Sequence, residues 1–221
     1  MSIKNLWKEP TYRSKAYNIV NNVLSAVTHG IGFCLSVAGL VILIIAAVHS
    51  HNAMKIVCFT LYGSSLVLLY LFSTLYHSLI FTKARKVFQI FDHSSIFILI
   101  AGSYTPYTLV AIGKAKGWVL WSIIIALSIF GILFYIFNQG KHAILDTVIY
   151  VLMGWMVIFA SADLYPVLGP QGFWLLVAGG VAYTIGAILF SMRRVPFIHV
   201  IWHLFVMLGS ILMYFSILLY V

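Results

Sequence analysis

Long apolar runs alternate with short polar breaks along the whole chain. Seven runs can be marked: Val23–Val48, Met54–Phe81, Val87–Ile112, Gly117–Phe137, Ala143–Ala162, Gly172–Ser191 and Pro196–Tyr220. Each is near or above the roughly 20 residues that a helix needs to span a bilayer. The breaks carry turn chemistry: HSHN, TKARK, GKAKG, NQGKH, DLYPVLGPQ and RRVP. The pattern predicts an all-α integral membrane protein, a bundle of seven transmembrane helices. Residues 1–22 form a cytoplasmic N-terminal segment and residues 23–221 a single transmembrane domain. The opening MSIKNLWKEPTYRSK is basic and polar, without the apolar core and small-residue cleavage site of a secretory signal, so the first run is expected to be retained as a helix.

Composition strengthens this reading. The chain of 221 residues is 63% hydrophobic and 8% charged, and its mean hydropathy is +1.07, more apolar surface than a soluble domain of this size can hide. The net charge of +9 would raise the question of nucleic acid in a soluble protein. Here the cations lie in the breaks, where they set orientation and meet anionic headgroups, so no nucleic-acid partner is expected. On one side fall Lys4, Lys8, Arg13, Lys15, Lys83, Arg85, Lys86, Lys141, Arg193 and Arg194; on the other, Lys55, Lys114 and Lys116. The richer side is cytoplasmic by the positive-inside rule, which puts the N-terminus inside and the C-terminus outside. Cys34 and Cys58 lie within apolar runs and lack metal or disulfide spacing, so they read as buried hydrophobes.

Ionisable groups inside spanning helices are costly and mark function by default. At 1.5 Å of rise per residue, His77 lies roughly 9 Å from Lys83, and Asp92 and His93 roughly 9 to 10 Å from Lys86. His199 and His203 lie roughly 8 and 14 Å from Arg194, and Ser73 roughly 15 Å from Lys83. His29 falls in the same layer. Four helices thus deliver imidazole and carboxylate groups to one slab in the inner half of the membrane, whereas His49, His51 and His142 fall in breaks.

The stretch HVIWH places His199 and His203 one turn apart on one helix face, where two imidazoles can share a metal. His77 is the natural third ligand, which leaves a fourth tetrahedral position open, the catalytic pattern of zinc sites. Imidazoles also suit other transition metals. Interhelical hydrogen bonding accounts for the same histidines without a metal. Asp92 fits a general base or a partner that orients a ligand, and equally a structural pair with a histidine. His93 is turned about 100° from Asp92 on the helix. Ser73, four residues before His77, fits a donor to a water or a substrate carbonyl, and equally a hydroxyl bonded to its own helix. Asp146 reads as a carboxylate at a helix start, and Asp163 belongs to a break.

Five blocks in order, THGIG (Thr28–Gly32), STLYH (Ser73–His77), FDHSSIFILIAGSYTP (Phe91–Pro106), LMGW (Leu152–Trp155) and HVIWHLFVMLGS (His199–Ser210), resemble the bacterial hemolysin III family. That group belongs with the progestin and adipoQ receptors and, more distantly, the alkaline ceramidases. The resemblance implies a seven-helix bundle holding an intramembrane Zn2+ by His77, His199 and His203, with Ser73 and Asp92 near it. It also implies lipid amides as a substrate class, and for the bacterial branch haemolysis and membrane-lipid homeostasis. Two positions depart from the family pattern. Asn22 and Ser25 stand where members often carry an acidic residue and an asparagine, and Met213 stands where many carry another histidine.

The leading reading is a zinc-dependent hydrolase of a lipid amide or ester in the cell membrane, its substrate entering from the inner leaflet. Asp92 would accept a proton and Ser73 would polarise the carbonyl. The alternatives are a non-enzymatic regulator of membrane lipids with a structural zinc, a haemolytic or channel-like protein, and a proton relay using Asp92 and His77. Membrane lipids are the expected partners.

Overall fold

The computed structural model describes residues 14–138, 143–192 and 194–221. Lys4, Lys8, Arg13, Lys141, His142 and Arg193 lie outside the described residues. Among those described, every regular element is helical: α1 (Lys15–His49), α2 (Ala53–Ser78), α3 (Arg85–Thr105), α4 (Lys114–Asn138), α5 (Ala143–Trp155), α6 (Ser161–Ser191) and α7 (Ile198–Tyr220). Six helical stretches are long and apolar enough to cross a membrane, one of them the 48-residue run Ile144–Ser191 that joins α5 to α6. Large apolar side chains such as Val23, Ile31, Phe130, Leu133 and Leu219 are exposed on the outer faces, as a hydrocarbon solvent requires.

Local chemistry sets the helix ends. Ser14 caps α1 by accepting from the Tyr17 amide at 3.1 Å, and Asn52 caps α2 by accepting from Lys55 at 3.2 Å. The α1 helix begins eight residues before the first apolar run. Those extra turns are polar and still have work in the fold, since the Tyr17 hydroxyl accepts from the Phe197 amide at 2.8 Å. Beyond Pro106, α3 continues as a π-helical stretch, Pro106–Ile112. It closes with the Gly113 amide donating to the Thr108 carbonyl at 2.9 Å.

The Ile144–Ser191 run is not straight. A 3-10 segment, Met156–Ala160, follows α5, and Gly169 takes a non-helical conformation (φ 64°, ψ 174°) between Pro166 and Pro170. Glycine alone adopts that backbone without strain. Trp155 Nε1 donates to Thr184 Oγ1 at 2.9 Å, although 29 residues of straight helix would separate them by about 43 Å. The chain therefore doubles back within this run.

Small residues let the helices approach. On α6, Gly172, Gly179 and Gly186 recur every seventh residue and face α7 at Tyr220, Gly209 and Trp202. An added Cβ would come within 2.6 Å of Tyr220 and 2.8 Å of Trp202. Without a hydrophobic drive between helices in lipid, such close packing is what holds a seam together. The core that α2, α3, α6 and α7 enclose contains Phe59, Tyr62, Leu66, Leu99, Leu176 and Ile217.

Candidate metal centre

Three imidazoles converge inside the bundle. His77 on α2, with His199 and His203 on α7, bring one ring nitrogen each to within 4.8 Å of one another. His77 Nε2 and His199 Nε2 are 3.0 Å apart. Their positions follow from the helices: His77 lies in the last turns of α2, while His199 and His203 occupy the first two turns of α7, one above the other. His77 and His203 are buried and His199 is half-buried.

The other nitrogens of two of these rings are taken. His77 Nδ1 lies 2.9 Å from Asn22 Oδ1, and His203 Nδ1 lies 3.2 Å from the Ser25 carbonyl. Both partners accept, so each Nδ1 carries the proton and each Nε2 is the basic nitrogen. A tetrahedral metal with bonds of about 2.0–2.1 Å to nitrogen holds its ligand atoms about 3.3 Å apart, close to the 3.0 Å between His77 Nε2 and His199 Nε2. The donor set therefore fits a metal ion, and this buried triad could hold one.

His29 completes the imidazole cluster without joining the triad. Its ring stacks on His203 with centroids 3.5 Å apart and an interplanar angle of 13°. Both of its nitrogens lack a hydrogen-bond partner among the described residues.

A cavity of about 150 Å³ opens beside the triad, lined by Ser73, Asp92, His199 and His203 at one end and by Tyr107 and Met213 at the other. Ten residues of α7 separate His203 from Met213, so the cavity extends about 15 Å along the helix. Most of the wall between these ends is apolar, with Leu69, Ile96, Val157 and Leu176. Ser73 and Asp92, the two groups singled out as catalytic candidates, line the same cavity. His93 lies beside Asp92 (3.7 Å between Nδ1 and Oδ2), and its ring stacks on Tyr135 of α4 with centroids 4.7 Å apart.

The sequence picked out His77, His199, His203, Ser73 and Asp92, and the fold gathers all five around the triad and the cavity. His49 and His51 are exposed, outside the cluster, and Asp163 pairs with Lys116. Two participants were not singled out. Asp146 does lie in the first turn of α5, yet it is buried and lines the cavity. Asn22 holds His77. A signal for Asn22 existed: Asn22, Ser25 and His29 fall on one face of an otherwise apolar helix, at i, i+3 and i+7.

These features define a class: a multi-pass helical membrane protein with a buried, metal-competent histidine triad. The family described as Haemolysin-III related matches residues 17–214, and the chain belongs to that family. It is 48% identical over 203 residues to the Hemolysin-3 of Bacillus cereus, covering 92% of this chain and 93% of that protein. It is 43% identical over 204 residues to the Hemolysin-3 homolog of Bacillus subtilis (strain 168), covering 92% and 96%. A more distant likeness reaches the Monocyte to macrophage differentiation factor of Homo sapiens, 26% identical over 167 residues, 71% of this chain and 67% of that protein.

Proposed function

We propose that the protein is a zinc-dependent membrane hydrolase that cleaves a lipid amide or ester. The observation that carries this is the convergence of His77, His199 and His203 beside an apolar cavity that also presents Asp92 and Ser73. Zinc bound there would supply Lewis acidity and lower the pKa of a water towards about 7. Asp92 accepts a proton as general base and returns it to the leaving group. Ser73, in the same cavity lining as Asp92, donates its hydroxyl proton to the substrate carbonyl. The cavity's apolar middle, with Leu69, Ile96, Val157 and Leu176, suits the hydrocarbon part of a lipid. Membrane lipids are then both substrate source and partner.

The topology proposed with this function is seven crossings within one transmembrane domain, with α1 (Lys15–His49) entering the membrane from the cytoplasmic side. The reversal at Gly169 divides the 48-residue run into parts of 25 and 22 residues, each long enough to span. With the N-terminus cytoplasmic, ten Lys and Arg lie inside and three outside, and the triad sits in the inner half of the membrane.

Zinc per chain in detergent-purified protein, followed by fatty-acid release from N-acyl and O-acyl lipids, tests the proposal. About one zinc with turnover on either class supports it. One zinc with no turnover across both classes overturns the hydrolase and leaves a metal that ties α2 to α7. Protein that stays metal-free when zinc is supplied overturns the whole reading.

A further inference from the structure

Helix α1 supplies no ligand to the triad, yet it touches two of the three. We propose that one stripe of α1, Asn22, Ser25 and Thr28, is the outer bracket of the metal centre, with Asn22 the positioning residue that selects the metal-facing nitrogen of His77. The inference rests on the metal reading above.

The Asn22 amide is fixed at both ends. Its Nδ2 donates to the Asn18 carbonyl at 2.8 Å, one turn back on the same helix. Its Oδ1 accepts from His77 Nδ1 at 2.9 Å. With the amide nitrogen committed to Asn18, the oxygen must face His77, and an acceptor there puts the ring proton on Nδ1 and the lone pair on Nε2. One turn further along, the Ser25 carbonyl accepts from His203 Nδ1 at 3.2 Å. The Thr28 hydroxyl lies 3.4 Å from the same nitrogen. His199 has no such partner on α1; the contact to its imidazole nitrogen is His77 itself. Two ligands from two helices are thus held in one tautomer and one orientation by a third helix.

An outer partner also tunes the ligand. A carboxylate draws the imidazole proton more strongly than a neutral amide does and makes the opposite nitrogen a better donor. Asn22 is a neutral acceptor, so metal affinity can move in both directions from the native residue. Asn22→Asp keeps the acceptor and adds charge. Asn22→Leu keeps the approximate volume and removes the acceptor.

The test compares wild type, N22D and N22L in detergent by zinc affinity, read by competition with a chromophoric chelator. A second readout is the visible ligand-field spectrum of the cobalt-loaded proteins. N22L is expected to bind zinc about 10- to 100-fold more weakly, and N22D several-fold more tightly, with a shifted cobalt spectrum in each. Chelated N22L should unfold below wild type, because the His77 Nδ1 proton loses its acceptor, so the cobalt spectrum, which a merely structural role for Asn22 would leave alone, separates the two roles. Zinc affinity in N22L within twofold of wild type, or in N22D equal to or below wild type, overturns the inference while the metal reading stands. If N22L does not fold, N22D decides by itself. Wild type that binds neither zinc nor cobalt overturns both.

Discussion

The two ends of the cavity treat buried polar groups in opposite ways. At the Tyr107 end the hydroxyls close on the protein itself. Tyr107 donates to Ser216 at 2.8 Å, Ser216 donates to the Gly172 carbonyl at 2.8 Å, and Tyr183 pairs with Ser210 at 2.8 Å. Only the Tyr62 hydroxyl there lacks a partner among the described residues. At the His203 end, four rings crowd together, two ring nitrogens face each other at 3.0 Å, and both nitrogens of His29 are left over. A hydroxyl donates and accepts from one rotating atom, so a few of them can satisfy one another. A neutral imidazole fixes one donor and one acceptor on opposite sides of a rigid ring, so a cluster of rings leaves lone pairs pointing inward. Leaving such groups unpaired in an apolar interior is expensive. The tyrosine end closes most of its hydroxyls on the protein, whereas the histidine end leaves imidazole nitrogens unpaired among the described residues.

The largest effect should come from breaking the triad. His203→Ala removes one of three ligands, and zinc is expected to fall from about one per chain to background in elemental analysis, a loss of most of the metal's binding free energy. Loss of zinc here with retention in Tyr107→Phe would establish that the two ends differ as described. Retention in His203→Ala would break the comparison. Next in size, Asp92→Asn should keep its zinc and lose about 10²- to 10⁴-fold in turnover, the range for removing a general base. Equal losses of zinc and turnover would instead make Asp92 part of the metal's support.

How much of this was legible in the sequence depended on contrast. An imidazole in an apolar run stands out, and counting rise from Lys83 and from Arg194 placed His77 and His199 at one depth; they are 3.0 Å apart in the fold. Asn22 sits near a polar helix start, among Tyr17, Asn18 and Asn21, and stands out only through the face it shares with Ser25 and His29. Asp146 was read correctly as a helix-start residue, but which way a first-turn side chain faces depends on how α5 docks. The break DLYPVLGPQ was read as a loop. Helix persists up to Leu168 and resumes at Pro170, because Gly169 alone absorbs the reversal. The seven-residue spacing of Gly172, Gly179 and Gly186 was open to inspection, yet a glycine's partner across a seam is visible only in three dimensions.

Away from the histidines, Gly117→Ala tests whether the tyrosine end is rigid. An added Cβ would lie 2.0 Å from the Thr108 carbonyl oxygen and 3.1 Å from its carbon. That carbonyl is backbone and already accepts from the Gly113 amide, so relief requires α4 to move. The expected cost is about 1–3 kcal/mol, as for other overpacked sites, read as a lower unfolding midpoint in detergent with zinc content unchanged. A smaller effect is expected from Tyr107→Phe. It removes the bond to Ser216, while Ser216 keeps its bond to Gly172, so about 1 kcal/mol should be lost.

The smallest effect is the sharpest test of the contrast. His29→Phe replaces a ring whose nitrogens have no partner among the described residues with an apolar ring that can keep both the stack on His203 and the edge contact with Tyr70, whose centroid lies 5.1 Å away. Removing a satisfied polar group costs stability, whereas removing an unsatisfied one relieves a desolvation penalty. In chelated protein, His29→Phe should therefore unfold at or slightly above the wild-type midpoint, although the residue is as deeply buried as Tyr107. The comparison is read in a single denaturant series on the two variants. A destabilisation in His29→Phe as large as that in Tyr107→Phe would mean that His29 is structurally satisfied, and the two ends of the cavity would then follow the same rule.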